Sequence, residues 1–143
     1  MIQLTEHFSI EELTVTDHRE FDNTPSAFER TNLVRLAGLL ERVKTALGGV
    51  PVMVNSAYRS KKVNDAVGSK DTSQHRLGCA ADIRVPSLTP DQVVKAIMAA
   101  KLPYDQLIRE FDRWTHISIP NTLNGTPRGQ VLIIDKAGTR PYA

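Results

Sequence analysis

The stretch SQHRLGCAAD, Ser73 to Asp82, sets a histidine and an aspartate seven residues apart with mostly small and apolar residues between them. Gly78, Cys79, Ala80 and Ala81 let backbone pass close to a crowded centre, and AADIRV reads as a strand starting there. Asp82 is then an acid flanked by Ala81 and Ile83 in a segment expected to be mostly buried. A buried carboxylate needs a cation or several donors. Either Asp82 is a strand-end residue capping a turn, or it shares a metal with His75.

Of the four histidines, His116 lies in the most strand-like surroundings, WTHIS. Alternation along a strand puts Trp114, His116 and Ser118 on one face and Thr115, Ile117 and Ile119 on the other. An isolated core histidine more often bonds a backbone carbonyl, but His75, Asp82 and His116 together offer two imidazoles and one carboxylate. That donor set suits Zn²⁺ with one position left for water. With a single aspartate the centre stays net positive, so a bound water would lose its proton far more easily than bulk water. His7 and His18 have no matching partner motif. Cys79, the sole cysteine, excludes an internal disulfide and reads as a small buried filler.

Working outward, Ser9 to Glu12 has the form of a capping box ahead of a short helix. Leu33, Leu36, Leu40, Val43 and Leu47 recur at steps of three and four, which predicts a long helix from about Pro25 to Leu47 that starts at Thr24-Pro25 and stops at Gly48-Gly49. PVMVNSAYR reads as a strand entering a loop, and KKVNDAV as a short helix ending near Gly68. Thr89-Pro90-Asp91-Gln92 opens a second amphipathic helix closed by Pro103. DQLIRE, WTHISI and QVLIID read as strands, and Gly138 onward as a frayed basic end. Helices first and strands later predict an α+β fold with an antiparallel sheet packed against helices.

With 143 residues and no linker-like stretch, a single domain over residues 1–143 is expected. Eighteen basic and 16 acidic side chains leave a formal charge of +2, too small an excess for a phosphate-tracking surface, so nucleic acid is not an expected partner. No run of about 18 apolar residues predicts membrane insertion. The opening MIQLTEHFSIEEL has no basic segment followed by an apolar run, so the chain is expected to be made in the cytoplasm without a signal peptide. A monomer is expected.

SAYRSKKVNDAVGSKDTSQHRLGCAAD followed by EFDRWTHIS resembles the zinc murein peptidases, a family that includes D-Ala-D-Ala carboxypeptidases and phage L-alanyl-D-glutamate endopeptidases and shares its fold with the hedgehog signalling domain. LTEHFSIEEL and DNTP resemble its small single-domain branch. The likeness spans about residues 3 to 120, and S-x-H-x6-D with W-x-H-x-S is specific as a pair. It implies zinc at His75, Asp82 and His116, with Glu110 as the catalytic carboxylate six residues before the last histidine. Some relatives place that acid three residues before the histidine, where this chain has Arg113, which cannot act as a base near neutral pH; Asp112 is the nearby rival. The same likeness makes Arg59 a residue that faces substrate or steadies the transition state, and Ser73 a substrate-contacting hydroxyl. A surface salt bridge and a loop cap are their ordinary roles. Tyr58 and Trp114 are candidates to line the cleft, although aromatics on a β face more often pack in a core. Ala57 and Ser69 stand where the family loop has glycine, a change that bears on substrate preference.

The resemblance implies a zinc-dependent peptidase that hydrolyses an amide bond in the peptidoglycan stem peptide. The expected setting is a phage or prophage lysis or tail-associated enzyme that reaches the wall through a pore or with the virion. The scissile bond stays open among L-Ala-D-Glu, D-Ala-D-Ala and cross-bridge bonds. The alternative is a non-catalytic, zinc-containing binding module of the same fold.

Overall fold

The computed structural model describes residues 1–142, and its element order follows from local signals. Helix α1 spans Ile10–Leu13 behind the Ser9/Glu12 capping box, in which the Ser9 hydroxyl accepts from the Glu12 amide and the Glu12 carboxylate from the Ser9 amide. Helix α2 spans Ala27–Ala46. It begins later than Thr24-Pro25 suggests because Ser26 and Glu29 close a capping box of their own, satisfying free amides that a proline cap leaves to solvent. Gly48 and Gly49, both at positive φ, end it. Leu33, Leu36, Leu40 and Val43 are buried along its inner stripe, and Leu47 packs at the edge of the core.

Strand β1 spans Met53–Ser56, helix α3 Lys61–Ala66, β2 Ala80–Arg84, α4 Pro90–Ala99, β3 Gln106–Glu110, β4 Trp114–Ser118, β5 Gln130–Asp135 and β6 Gly138–Pro141. A short 3-10 turn, Gln74–Leu77, carries His75 between α3 and β2. The strands form one six-stranded sheet in the order β1-β2-β4-β3-β5-β6. Every neighbouring pair is antiparallel except β3 and β5, which are parallel. The fold is thus α+β with a mostly antiparallel sheet. β2 already occupies the other side of β4, so β5 pairs at the outer edge of β3, and because the chain reverses after β4 it runs antiparallel to β4 and hence parallel to β3.

The expected antiparallel sheet is present, with the β3–β5 pair as its one parallel member. One sequence expectation is corrected here. The segment from Gly138, expected to fray, forms β6 and pairs along β5 from Asp135↔Gly138 to Leu132↔Pro141, with Arg140 bonded to Asp135 across the turn. Cross-strand hydrogen bonds outweigh the polar composition of GTRP. Residue 143 lies outside the described residues.

The registers sort the side chains. Ala81, Ile83, Leu107 and Ile117 lie on the face that packs with α2 and α4 in one continuous hydrophobic cluster. On the opposite face the row Asp82↔His116↔Ile108 runs across three strands, and Trp114↔Glu110 forms the next row. The sheet therefore has a core face and a chemical face. Among the described residues no helix is long and apolar enough to cross a membrane.

Candidate metal centre

The floor of the centre is set by register. Asp82 and His116 are cross-strand partners, and the His116 Nδ1 lies 3.0 Å from Asp82 Oδ1. His75 arrives from the side on its 3-10 turn, where Ser73 caps by accepting from the His75 amide at 3.2 Å and Gly78 ends the turn in the left-handed conformation. A Cβ at Gly78 would sit 2.8 Å from the Glu29 carbonyl oxygen and 3.2 Å from Leu33, so only glycine lets this turn dock on α2. The side chain of Cys79 and the methyls of Ala80 and Ala81 are fully buried, as the small-residue run requires.

His75 is buried, and its Nδ1 lies 2.7 Å from the carbonyl oxygen of Ala57. Burial pushes its pKa down despite the neighbouring Asp82 carboxylate. A neutral ring that donates from Nδ1 to a carbonyl has a lone pair on Nε2, and that atom faces Asp82 Oδ2 at 3.4 Å. Burial opposes ionisation of Asp82, but when the two rings carry protons their charge and hydrogen bonds overcome it and hold the carboxyl well below the usual carboxylate range. When His75 is neutral, two lone-pair donors face each other, an arrangement that suits a cation between them.

The dimensions fit one. His75, Asp82 and His116 each offer a ligand atom, and the three atoms lie within 4.8 Å of one another. The 3.4 Å from His75 Nε2 to Asp82 Oδ2 matches the ~3.3 Å between donors placed tetrahedrally at ~2.0–2.1 Å from one ion, and His116 Nδ1 lies 3.0 Å from the other oxygen, Oδ1. The atoms placed to hold a metal are Nε2 of His75, because a carbonyl takes Nδ1, and Nδ1 of His116, because that edge faces Asp82. The two rings meet edge on, 5.2 Å between centroids at 67°.

Glu110 stands beside this cluster, Oε1 3.9 Å from His116 Nδ1. The hairpin between β3 and β4 keeps it there. Phe111 and Asp112 both adopt positive φ, and Arg113 closes the turn on the Glu110 carbonyl at 3.0 Å, so strand register is preserved and Glu110 shares the face of His116. Burial first, then the negative charge of Asp82, raises the Glu110 pKa, against the opposing pull of His116 and Arg59. Asp112 points elsewhere and pairs with Arg109 at 2.8 Å.

Arg59 approaches from the loop after β1, with NH2 3.8 Å from Asp82 Oδ2 and a side chain 12% exposed. Its Nε is buried without a partner, and NH1 makes a long 3.4 Å contact to Asn64 Oδ1. The guanidinium thus has unused donors on the chemical face.

Of the other sequence candidates, Ser73 serves as the cap just described, and Tyr58 lies in the hydrophobic core at 4% exposure, its hydroxyl pushed up to about 12 by burial and by the nearby Glu29. Neither is brought to the cluster. Trp114 is half-buried directly across from Glu110.

Three contributors escaped the sequence reading. The Ala57 carbonyl fixes the His75 tautomer, but a main-chain oxygen carries no residue signature. Asn64 is fully buried and donates to the Lys70 carbonyl while meeting Arg59, yet sits in a segment that reads only as a polar helix. Gln74 donates to Asp105 Oδ2, the Ile119 carbonyl and Asn121 Oδ1, and Arg128 clamps Asp105 at 2.7 Å, tying the His75 turn to the end of β4. Its partners lie 31 to 47 residues away.

An α+β sheet whose one face holds a His-Asp-His cation site beside a carboxylate of raised pKa and an unspent guanidinium has the parts of a metal-dependent hydrolase. The family model of Peptidase M15 matches residues 6–118, well over half of the chain, and the chain belongs to that family. It is by membership a metallopeptidase, and the matched span contains the cluster, Glu110 and Arg59. A comparison with curated proteins finds no significant match.

Proposed function

We propose that the protein is a zinc-dependent peptidase that hydrolyses an amide bond in the stem peptide of bacterial peptidoglycan. The observation that carries this reading is the pair of lone-pair donors, His75 Nε2 and Asp82 Oδ2, held 3.4 Å apart with Glu110 on the same face. His75, Asp82 and His116 would hold Zn²⁺, which would supply a Lewis acid for the scissile carbonyl and make a water easier to deprotonate. Glu110 takes a proton from the attacking water as the C–O bond forms, then delivers it to the amine as the C–N bond breaks. Its raised pKa suits both halves of that exchange. Arg59, whose NH2 lies 3.8 Å from Asp82 Oδ2, is placed to offer a guanidinium N–H to a substrate carboxylate or to the developing oxyanion. Trp114 flanks the bound peptide, while Ser73 and Tyr58 act on substrate only through the loops they hold.

The setting that fits this activity is a phage or prophage lysis or tail-associated enzyme, made in the cytoplasm as a monomer and reaching the wall through a pore or with the virion. The competing reading is a zinc-containing binding module without turnover. The retained Glu110 favours catalysis over it.

Chelated protein incubated with purified muropeptides is expected to be inactive and to regain activity on adding Zn²⁺; full-rate cleavage by metal-free protein overturns the mechanism. Mass spectrometry of the products assigns the bond among L-Ala-D-Glu, D-Ala-D-Ala and cross-bridge positions. Binding without cleavage by both the native protein and Glu110→Ala identifies the module.

A further inference from the structure

The turn that keeps Glu110 in register is strained. Phe111 and Asp112 stand at φ 53° and 52°, values that glycine and asparagine adopt readily and a bulky phenylalanine does not. Such strain persists where the surrounding structure holds it in place. What the turn achieves is presentation: Phe111 is 45% exposed, and its centroid lies 5.9 Å from that of Trp114.

The two rings form one wall of a cleft of about 530 Å³, which the β5–β6 turn closes on the other side with Asp135 and Lys136. Its charges are not balanced. Asp112 is neutralised by Arg109 and Asp135 by Arg140, each at 2.8 Å. Arg113 and Lys136, which also line the cleft, have no ion-pair partner among the described residues. An aromatic wall with two spare cations complements a ligand that is aliphatic along its length and carries a carboxylate.

We propose that this cleft is a specificity subsite for a carboxylate-bearing residue of the substrate peptide, adjoining the scissile bond through Glu110. The inference rests on the peptidase reading above and deepens it, since the cleft begins one residue beyond the candidate base.

The test uses the zinc-loaded full chain and two synthetic stem peptides that differ only in whether one side-chain carboxylate is free or amidated. The native protein is expected to prefer the free carboxylate in kcat/KM, and the double variant Arg113→Gln/Lys136→Gln to lose about three- to tenfold of that preference. Phe111→Gly relieves the positive-φ strain, so it is expected to keep its zinc and unfold at an equal or higher temperature while KM rises. A merely structural turn residue would not separate stability from KM in that direction. An unchanged preference in the double variant, or an unchanged KM in Phe111→Gly, overturns the subsite. If the native protein cleaves neither peptide, the peptidase reading fails, and calorimetric binding of the same peptides judges the subsite: carboxylate-dependent binding lost in the double variant upholds it, and equal or absent binding refutes it.

Discussion

Glu110 concentrates the tension between stability and chemistry in a single side chain. Its folded pKa is raised, so the folded state holds the proton more tightly than the unfolded chain does. Stability of the metal-free protein should therefore decline as pH rises from the ordinary glutamate range through the raised value, where the buried charge forms. Glu110→Gln removes that charge. The expected outcome is a higher unfolding temperature for the metal-free variant at neutral pH, with kcat lower by roughly 10²–10⁴ in the zinc-loaded form. Calorimetry and muropeptide turnover on the same preparation check the two halves, and a variant that loses both stability and activity contradicts them. Cys79 makes the opposite case of a chemically capable group kept idle. Burial pushes its thiol up to about 11, so thiol reagents should label it at neutral pH only after unfolding. At this scale His75, Asp82 and His116 were legible as candidates from side-chain type and motif spacing, and Glu110 as a candidate from the family resemblance alone. The Ala57 carbonyl was not, since every residue has one.

At the scale of elements, caps and glycines read well and pairing partners did not. The three capping boxes rest on hydrogen bonds between residues three apart, so local sequence suffices to predict them. Even there, two adjacent candidates at the start of α2 competed, and Ser26/Glu29 won because it satisfies amides that Thr24-Pro25 leaves free. Gly78 is the hinge between the metal turn and α2. Its φ of 75° and the 2.8 Å approach to the Glu29 carbonyl predict that Gly78→Ala costs about 1–3 kcal/mol. The variant should also weaken zinc affinity by displacing His75, which competition with a chelator measures; retained stability and affinity would remove the close-approach argument. Strand β6 and the parallel β3–β5 pair were beyond local reading because both depend on which sheet edges remain unoccupied after β2 and β4 have paired.

For the whole molecule, one hydrophobic cluster between helices and sheet supports a face that is chemically costly to keep. Leu40, fully buried in α2, belongs to the support, and Leu40→Ala should destabilise the fold by about 2–5 kcal/mol in denaturant titration without changing the spacing of the metal ligands. The metal should in turn stabilise the whole, because an ion that binds only the folded chain shifts the unfolding equilibrium by mass action. Unfolding temperature is expected to fall on chelation and recover with Zn²⁺, and the Asp82→Ala variant should show no such dependence. Metal-independent unfolding of the native protein would mean that the three ligands do not act together.

The sequence by itself determined the helices, their caps, the small-residue approach at Gly78 and the identities of the metal-site donors, because each depends on residue type at short range or on motif spacing. Only the tertiary structure decided that His75 presents Nε2, that Asp82 and His116 meet in register, that Glu110 keeps their face across a strained turn, and that the last residues close the sheet as β6. These depend on strand pairing and on main-chain atoms, whose partners lie far along the chain and whose donors and acceptors are the same at nearly every position.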